Sequence, residues 1–347
     1  MVKKQLPDSR LVKRKKKRKL RKRIFFVLIP LVVFLTAFGY ASYLYMKADS
    51  VLSESYEETG KEKSDLREEA VDPKIDNVSV LIMGVDASDI RANADSSRTD
   101  TMMVATLNKD SNSVNLLSIP RDSYVYVPEV GYETKINHAH SYGGSQAAVE
   151  TVENLLEIPI DYYVKVNFDA FIDVVDALNG ITVDVPYELY EQDSTDTANA
   201  IHLLPGKQNL NGEEALALAR TRKMDNDIER GKRQQEIIKA ILNKSVSLNS
   251  ILKYDDIIEA VGSNMTTNMT FSEMKSFISY GTSGDLNINT LNLEGTDYQP
   301  GSTYYWQLDE IALEETRETL QEHLEIRPST LTNNREQSTN IENTSSY

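Results

Sequence analysis

Apolar residues fall into short runs separated by polar punctuation, and the period of the runs changes along the chain. Val78–Val85 (VSVLIMGV) is a compact apolar run with a glycine near its end, the pattern of a buried strand. Thr101–Leu107 and Ser113–Ile119 repeat it, and the Asn-Lys-Asp-Ser-Asn between them predicts a hairpin loop. A helix is predicted over Gln146–Leu156, a strand over Tyr162–Asn167, a helix over Ala170–Leu178 and a strand over Ile181–Val185 after the Asn179-Gly180 turn. Glu213–Ala219 and Glu229–Lys244 predict a short and a longer helix. Further helices are expected over Ser250–Val261 and Phe271–Tyr280, then a strand over Leu286–Leu293 and a closing helix over Asp309–Leu324. Strands alternating with helices predict an α/β layered domain around a mixed sheet.

A different pattern precedes this domain. Ile24–Met46 is 23 residues without a charge, long enough as a helix to span roughly 34 Å of hydrocarbon. Tyr40, Tyr43 and Tyr45 cluster at its far end, as suits a membrane interface. The run exceeds a signal-peptide core, so an uncleaved transmembrane helix is expected. Residues 47–76 are polar and charged and read as an extracytoplasmic linker or helical stalk. The folded domain is expected over 77–325, and the Thr-, Ser-, Asn- and Glu-rich 326–347 as a disordered tail.

Charge fixes the orientation. Residues 1–23 carry thirteen Lys and Arg against Asp8, about +12, in a chain of net charge −15, which leaves about −27 for everything after them. Basic flanks stay in the cytoplasm, so the tail is expected inside and the acidic body outside the cell membrane. Next to a membrane span the basic block is explained by topology, and no nucleic acid partner is expected. The chain has no Cys and four His, with no HExxH, which argues against thiol nucleophiles, thiolate zinc and zinc hydrolases. His138 and His140 are expected to be structural.

The residues suited to chemistry gather at strand ends. Asp86 follows the first strand, where α/β sheets place ligands, although a lone Asp there also serves as a cap. Arg98 and Asp100 are two apart and would share a face of extended chain. Pro120 closes the third strand before Arg121, and the hairpin should set Asp100 beside Arg121. On the Glu229–Lys244 helix, Arg230 and Gln234 fall on the apolar stripe with Ile237 and Ile241, while Lys232 and Lys239 face solvent. A buried-side Arg needs an anion, either a body carboxylate or a bound phosphate. Arginines near carboxylates suit phosphate oxygens and Mg²⁺, the parts of phosphoryl transfer. There is no GxxxxGK[ST] and no GxGxxG.

The sequence resembles the LytR-CpsA-Psr family of cell-envelope phosphotransferases. The resemblance rests on LIMGVDAS (81–88), SSRTDTMMVATLN (96–108), LLSIPRDSYV (116–125), KINHAHSYGG (135–144), IDYYVKVNFDAFIDVVDALNGITVDV (160–185), LNGEEALALARTRK (210–223) and IERGKRQQ (228–235). It implies an α/β/α sandwich with a pocket for a lipid tail. It also implies transfer of a glycopolymer (teichoic acid, capsule or another wall polysaccharide) from a polyprenyl-pyrophosphate carrier to peptidoglycan. Family metal-site carboxylates match Asp86 and Asp100, which implies Mg²⁺. Pyrophosphate-binding positions match Arg98, Arg121, Arg220, Arg222, Arg230 and Gln234, with Lys135 as a further site residue. Asp86, Asp100 and Arg121 are the catalytic candidates, with Asp86 open as metal ligand or general base. The family often has a Gly-Asp-Phe-Gly-Arg-like run before the arginine of the last motif. Here Asp225-Asn226-Asp227-Ile228-Glu229 precedes Arg230. Rival readings are a membrane-anchored regulator of envelope gene expression and a lipid pyrophosphatase.

Overall fold

The computed structural model describes residues 35, 38–40, 42–43, 45–47, 49–51, 55–57, 61, 63–85, 98–222, 227–245, 264–282 and 286–326. Asp86, the basic tail, the expected helix at Ser250–Val261 and all but the first residue of the expected 326–347 tail lie outside them. The chain forms two compact units, Met1–Ser50 and Val51–Tyr347. Every described residue from Leu35 to Ser50 is helical, with Leu35, Phe38, Tyr40, Tyr43 and Tyr45 exposed. Residues 24–34 of the expected transmembrane helix lie outside the described set, and no helix among the described residues is long and apolar enough to cross a membrane.

The body is built on a six-stranded sheet. Its strands are β1 (Val78–Val85), β2 (Thr99–Asn108), β3 (Ser113–Ser118), β6 (Tyr162–Val166), β11 (Met265–Thr267) and β12 (Asn287–Asn292), in the order β11-β6-β1-β2-β3-β12. The expected β2–β3 hairpin is present, β1 is antiparallel to β2, and β6 and β12 add in parallel to β1 and β3. The sheet is therefore mixed. Alternation along each strand supplies its two faces. Leu81, Met83, Met102, Val104 and Leu117 pack against α1 (His138–Leu156) and α6 (Glu310–His323). Val78, Val80, Met103, Ala105 and Leu116 pack with Ile238 and Leu242 of α4 (Asp227–Ser245) and with Met274, Phe277 and Tyr280 of α5 (Phe271–Thr282).

A third apolar cluster lies outside the sheet. It joins α2 (Phe168–Ala177) and α3 (Gly212–Arg220) to β7 (Ile181–Val185), β10 (Gly206–Leu210), β8 (Leu189–Glu191) and β9 (Ile201–Leu203). Asn211 opens α3 with a capping box closed by Glu214, so this helix starts at a fixed residue. Two small hairpins complete the body: β4 (Tyr124–Val127) with β5 (Tyr132–Lys135), and β13 (Gly295–Tyr298) with β14 (Tyr305–Leu308). Neither stands out in the hydrophobic pattern.

Within the expected linker over 47–76, residues from Ser55 on make contacts with the body. Backbone bonds tie Ser55 and Glu57 to Thr267. Arg67 donates to both carboxylate oxygens of Asp161, at 2.9 and 2.7 Å, and to the carbonyl of Asn77. Asp161 is buried there and also accepts from the Ser79 amide. Polar contacts, with Val71 alone of its aliphatic residues packed on a core cluster among the described residues, hold this segment, so a hydrophobic pattern does not reveal it. Arg67→Ala would strand the buried Asp161 carboxylate and is expected to cost about 3 kcal/mol. The midpoint of urea unfolding measures it, and an unchanged midpoint would mean that the segment is only loosely attached.

Candidate active site

Several strand ends meet at one edge of the sheet. β1 runs into Val85, β2 starts beside it at Thr99, β3 ends beside β2, and the parallel β6 ends at Val166. Gly84 pairs with Thr101 but Val85 pairs with Thr99, so Asp100 is the extra residue of a β-bulge. A bulge re-aims the side chain it carries. Asp100 lines a cavity and accepts a hydrogen bond from Arg121 Nη1 at 2.6 Å. The expected Asp100–Arg121 neighbourhood is thus present. Arg98 precedes β2, and Asp100 is itself the bulge residue, so the regular strand alternation does not run through the pair. Arg98 is exposed, and its charge acts on His138 and Tyr142.

The cavity has a volume of about 450 Å³. Ile82 and Met103 of the sheet, Phe168 and Phe171 of α2, Leu216 of α3 and Ile237 of α4 form apolar wall. Asp100, Arg220, Arg222, Arg230 and Gln234 also line it. Arg220 ends α3 with its guanidinium 4.7 Å from the Phe168 ring centre, a cation–π contact. Gln234 donates to the carbonyl of Ala219, which ties α4 to α3.

Arg230 is buried on α4, as the helical period predicts, and Lys232 is exposed. Its Nη1 lies 2.8 Å from Asp227 Oδ1, yet the approach does not satisfy hydrogen-bond geometry, and Nη1 has no hydrogen-bond partner among the described residues. Burial pushes this guanidinium down to about 10; Asp227 and Asp100 oppose the shift, while Arg222 and Arg121 add to it. Arg121 Nε is likewise buried without a hydrogen bond, 3.9 Å from Asp227 and 4.0 Å from Asp122. Two guanidiniums, each with a buried nitrogen lacking a hydrogen bond among the described residues, are suited to an anion.

Lys135 is set apart from this group. It pairs with Asp122 at 2.9 Å and does not line the cavity. The expected residues therefore divide. Asp100, Arg220, Arg222, Arg230 and Gln234 line the cavity, Arg98 and Lys135 lie on an adjoining face, and Arg121 joins the two through Asp100 on one hand and Asp122 on the other.

The LytR_cpsA_psr family matches residues 42–322. The chain belongs to the LytR-CpsA-Psr family. It is 39% identical over 324 residues to the polyisoprenyl-teichoic acid–peptidoglycan teichoic acid transferase TagT of Bacillus subtilis, covering 92% of this chain and 100% of that one. TagV of the same organism is 40% identical over 325 residues, covering 91% and 82%. The structure of TagT bound to LIIa-WTA matches with a TM-score of 0.67 at 38% identity, over 76% of this chain and 97% of that chain. The structure of YwtF (TagT) with bound octaprenyl pyrophosphate lipid matches with a TM-score of 0.62 at 36% identity, over 76% and 97%. The α/β fold with a central mixed sheet is common to these LytR-CpsA-Psr structures.

Within that fold, three contributors escape sequence reasoning. Asp227 stands three residues before Arg230, a helical ion-pair spacing, and Asp122 is the last residue of Ile-Pro-Arg-Asp. Arg233 is buried and donates to the carbonyls of Leu218 and Thr221, at 3.2 and 2.6 Å, so it fastens the C-terminal end of α3 beside Arg220 and Arg222. The Mg²⁺ implied by the family resemblance fits the donors present. Asp100 offers hard oxygen at the cavity wall, one oxygen being taken by Arg121. Mg²⁺ takes one or two protein carboxylates and completes its shell with phosphate and water. No group of three His, Cys, Asp or Glu among the described residues could hold a metal on its own.

Two variants test this construction. A Cβ on Gly231 would stand 2.5 Å from Ser118 Oγ, so the glycine lets α4 approach the end of β3. Gly231→Ala is expected to destabilise by about 1–3 kcal/mol, and Ser118→Ala in the same chain to recover most of it, read by urea unfolding. Arg230→Gln should behave oppositely. The guanidinium is lowered in the folded chain, so its penalty is in full force at neutral pH and is relieved as pH rises through about 10. Unfolding free energy at pH 7 should be kept or raised in Arg230→Gln. Affinity for inorganic pyrophosphate should fall by about 1.5–3 kcal/mol in calorimetry.

Proposed function

We propose that this chain transfers a phosphoglycosyl polymer from a polyprenyl-pyrophosphate carrier to peptidoglycan. The observation that carries this reading is an apolar cavity shared with Arg220, Arg222 and Arg230 and adjoined by Arg121. A polyprenyl chain suits the apolar wall, and a pyrophosphate suits the arginines. The naming of TagT and TagV as teichoic acid transferases, and the octaprenyl pyrophosphate held by a TagT structure, support it.

Arg121, Arg220, Arg222, Arg230 and Gln234 hold the pyrophosphate, with Arg98 and Lys135 near its outer end. An acceptor hydroxyl oxygen bonds to the polymer-bearing phosphorus. The bond from that phosphorus to the bridging oxygen breaks, and polyprenyl phosphate leaves with the bond's electron pair. The hydroxyl proton passes to a carboxylate, for which Asp86 is the candidate. The guanidiniums neutralise charge that grows on the leaving phosphate, where fixed donors are most effective. Mg²⁺ held by Asp86 and Asp100 would share that neutralisation.

Ile24–Met46 serves as the single membrane span, with the basic tail in the cytoplasm and the body outside. Donor and enzyme then occupy one membrane, and the wall is the acceptor's location.

The test uses the full-length chain in detergent with a lipid-pyrophosphate oligosaccharide and a peptidoglycan acceptor. Linked product that requires Mg²⁺ is expected, and Arg121→Ala should lower kcat/KM at least about 100-fold. Transfer retained by Arg121→Ala would sink the assigned site. Transfer unaffected by EDTA would remove the metal from the reading. Release of free polymer phosphate without linkage would mark a pyrophosphatase instead.

A further inference from the structure

Beside Arg121, on elements that do not line the cavity, stands a face made of tyrosines. Tyr132, Tyr142 and Tyr304 are 51%, 42% and 36% exposed. The Tyr132 and Tyr142 hydroxyls are 3.3 Å apart, and Tyr142 meets the His138 ring edge-on at 6.0 Å. Lys135 Nζ is 5.9 Å from the ring centres of both Tyr304 and Tyr305, and Tyr305 packs on Tyr124 at 4.8 Å. The Tyr304 hydroxyl donates to Asp297. The fold sets these parts together deliberately. Trp306 donates its amide to the carbonyl of Asp122, which brings β14 against the segment that carries Arg121. A break at Gly143-Gly144, with Gly144 at φ +64°, turns the first part of α1, which carries His138 and Tyr142.

We propose that this tyrosine face is the platform on which the acceptor glycan strand lies. The inference rests on the transferase reading of the neighbouring site. Three observations favour this occupant. Phosphoryl transfer runs in line, so the acceptor oxygen must come from the side opposite the leaving polyprenyl phosphate. The cavity takes the lipid, and the tyrosine face lies across Arg121 from it, joined by the Lys135–Asp122 pair. The chemistry also matches. A pyranose presents an apolar C–H face and a polar rim, and tyrosine presents a flat apolar ring and a hydroxyl at little conformational cost. The exposed large aliphatic residues of the described body, Leu66, Ile75, Leu204, Ile311 and Ile326, lie on other elements, so the exposed part of this face is rings and hydroxyls, the surface a sugar stacks on.

The chain has a single tryptophan, and Trp306 sits on the hairpin that carries Tyr305. Its fluorescence is a local reporter that needs no turnover. The full-length chain in detergent is titrated with a β-1,4-linked N-acetylglucosamine–N-acetylmuramic acid oligosaccharide and, separately, with a polyprenyl pyrophosphate. The oligosaccharide should shift Trp306 emission saturably in the native chain. Tyr142→Ala with Tyr304→Ala should weaken that binding and raise acceptor KM at least ten-fold, with polyprenyl pyrophosphate affinity within two-fold of native. Tyr142→Phe with Tyr304→Phe, which keep the rings, should recover to within about three-fold. Unaltered emission with oligosaccharide, or equal acceptor KM in the alanine variant, overturns the platform. So does a loss confined to the donor, which would assign the face to donor sugars. Glycan binding without transfer would overturn the transferase reading and leave the platform standing; transfer with unchanged acceptor KM would do the reverse.

Discussion

Arg230 enters α4 with its side chain almost wholly buried and one carboxylate, Asp227, close to it. Taking a guanidinium out of water costs several kcal/mol unless its donors are met. Among the described residues Arg230 Nη1 has no hydrogen-bond partner, and Arg121 Nε beside it shares the deficit. Much of the surrounding structure holds this arrangement in place. Gly231 lets α4 close on Ser118, Arg233 fastens the end of α3, and Gln235 donates to the carbonyls of Leu116 and Leu291 to seat α4 on β3 and β12. The helix is therefore held by backbone carbonyls on two sides, independent of whatever anion Arg230 meets. Such a support keeps charged donors fixed in the absence of ligand, which is the condition under which they act most strongly on it.

How far the sequence reveals this depends on whether a feature is written in apolar period. The β2–β3 hairpin is, and it correctly sets Asp100 beside Arg121. The helical period correctly buries Arg230 and exposes Lys232. The bulge at Asp100 is not, because the residues on both sides keep the same strand-like composition and only the register with Gly84 and Val85 exposes it. Arg233 and Gln235 are missed for a related reason. They lie off the apolar stripe and are buried by carbonyl acceptors, which leave no trace in side-chain pattern. The β4–β5 and β13–β14 hairpins have strands of only 4 residues with mixed polarity, too short to carry an apolar period, although they shape the ground next to Arg121.

The division of the arginines and lysine gives the site a direction. Arg220, Arg222 and Arg230 belong to the cavity, Arg98 and Lys135 to the tyrosine face, and Arg121 to both. Burial, together with the Arg98 and Lys135 charges, pushes His138 below its ordinary value, while Asp122 opposes them. A histidine kept neutral in this way does not add to the positive charge around Arg121. Tyr304 is pushed up to about 12 by burial and by its bond to Asp297, with Asp227 and Asp122 contributing. It therefore keeps its proton and remains a hydrogen-bond donor. The face beside the arginines thus sets neutral rings around Lys135 and Arg98, in contrast to the cavity lined by three arginines.

That contrast bears on how an anionic donor reaches a body whose residues after the basic tail sum to about −27. Long-range attraction does not explain it, since exposed charges are screened beyond about 8 Å at physiological ionic strength. A freely diffusing polyanion would meet the acidic surface first. On the proposed reading of a membrane-anchored transferase the donor arrives by its lipid, and the acidic surface is bypassed. The local excess of guanidinium then has to work only over the last few ångströms, where burial keeps it unscreened. On that reading an acidic body and an arginine-lined cavity are compatible, because the lipid, rather than the field of the protein, delivers the phosphate.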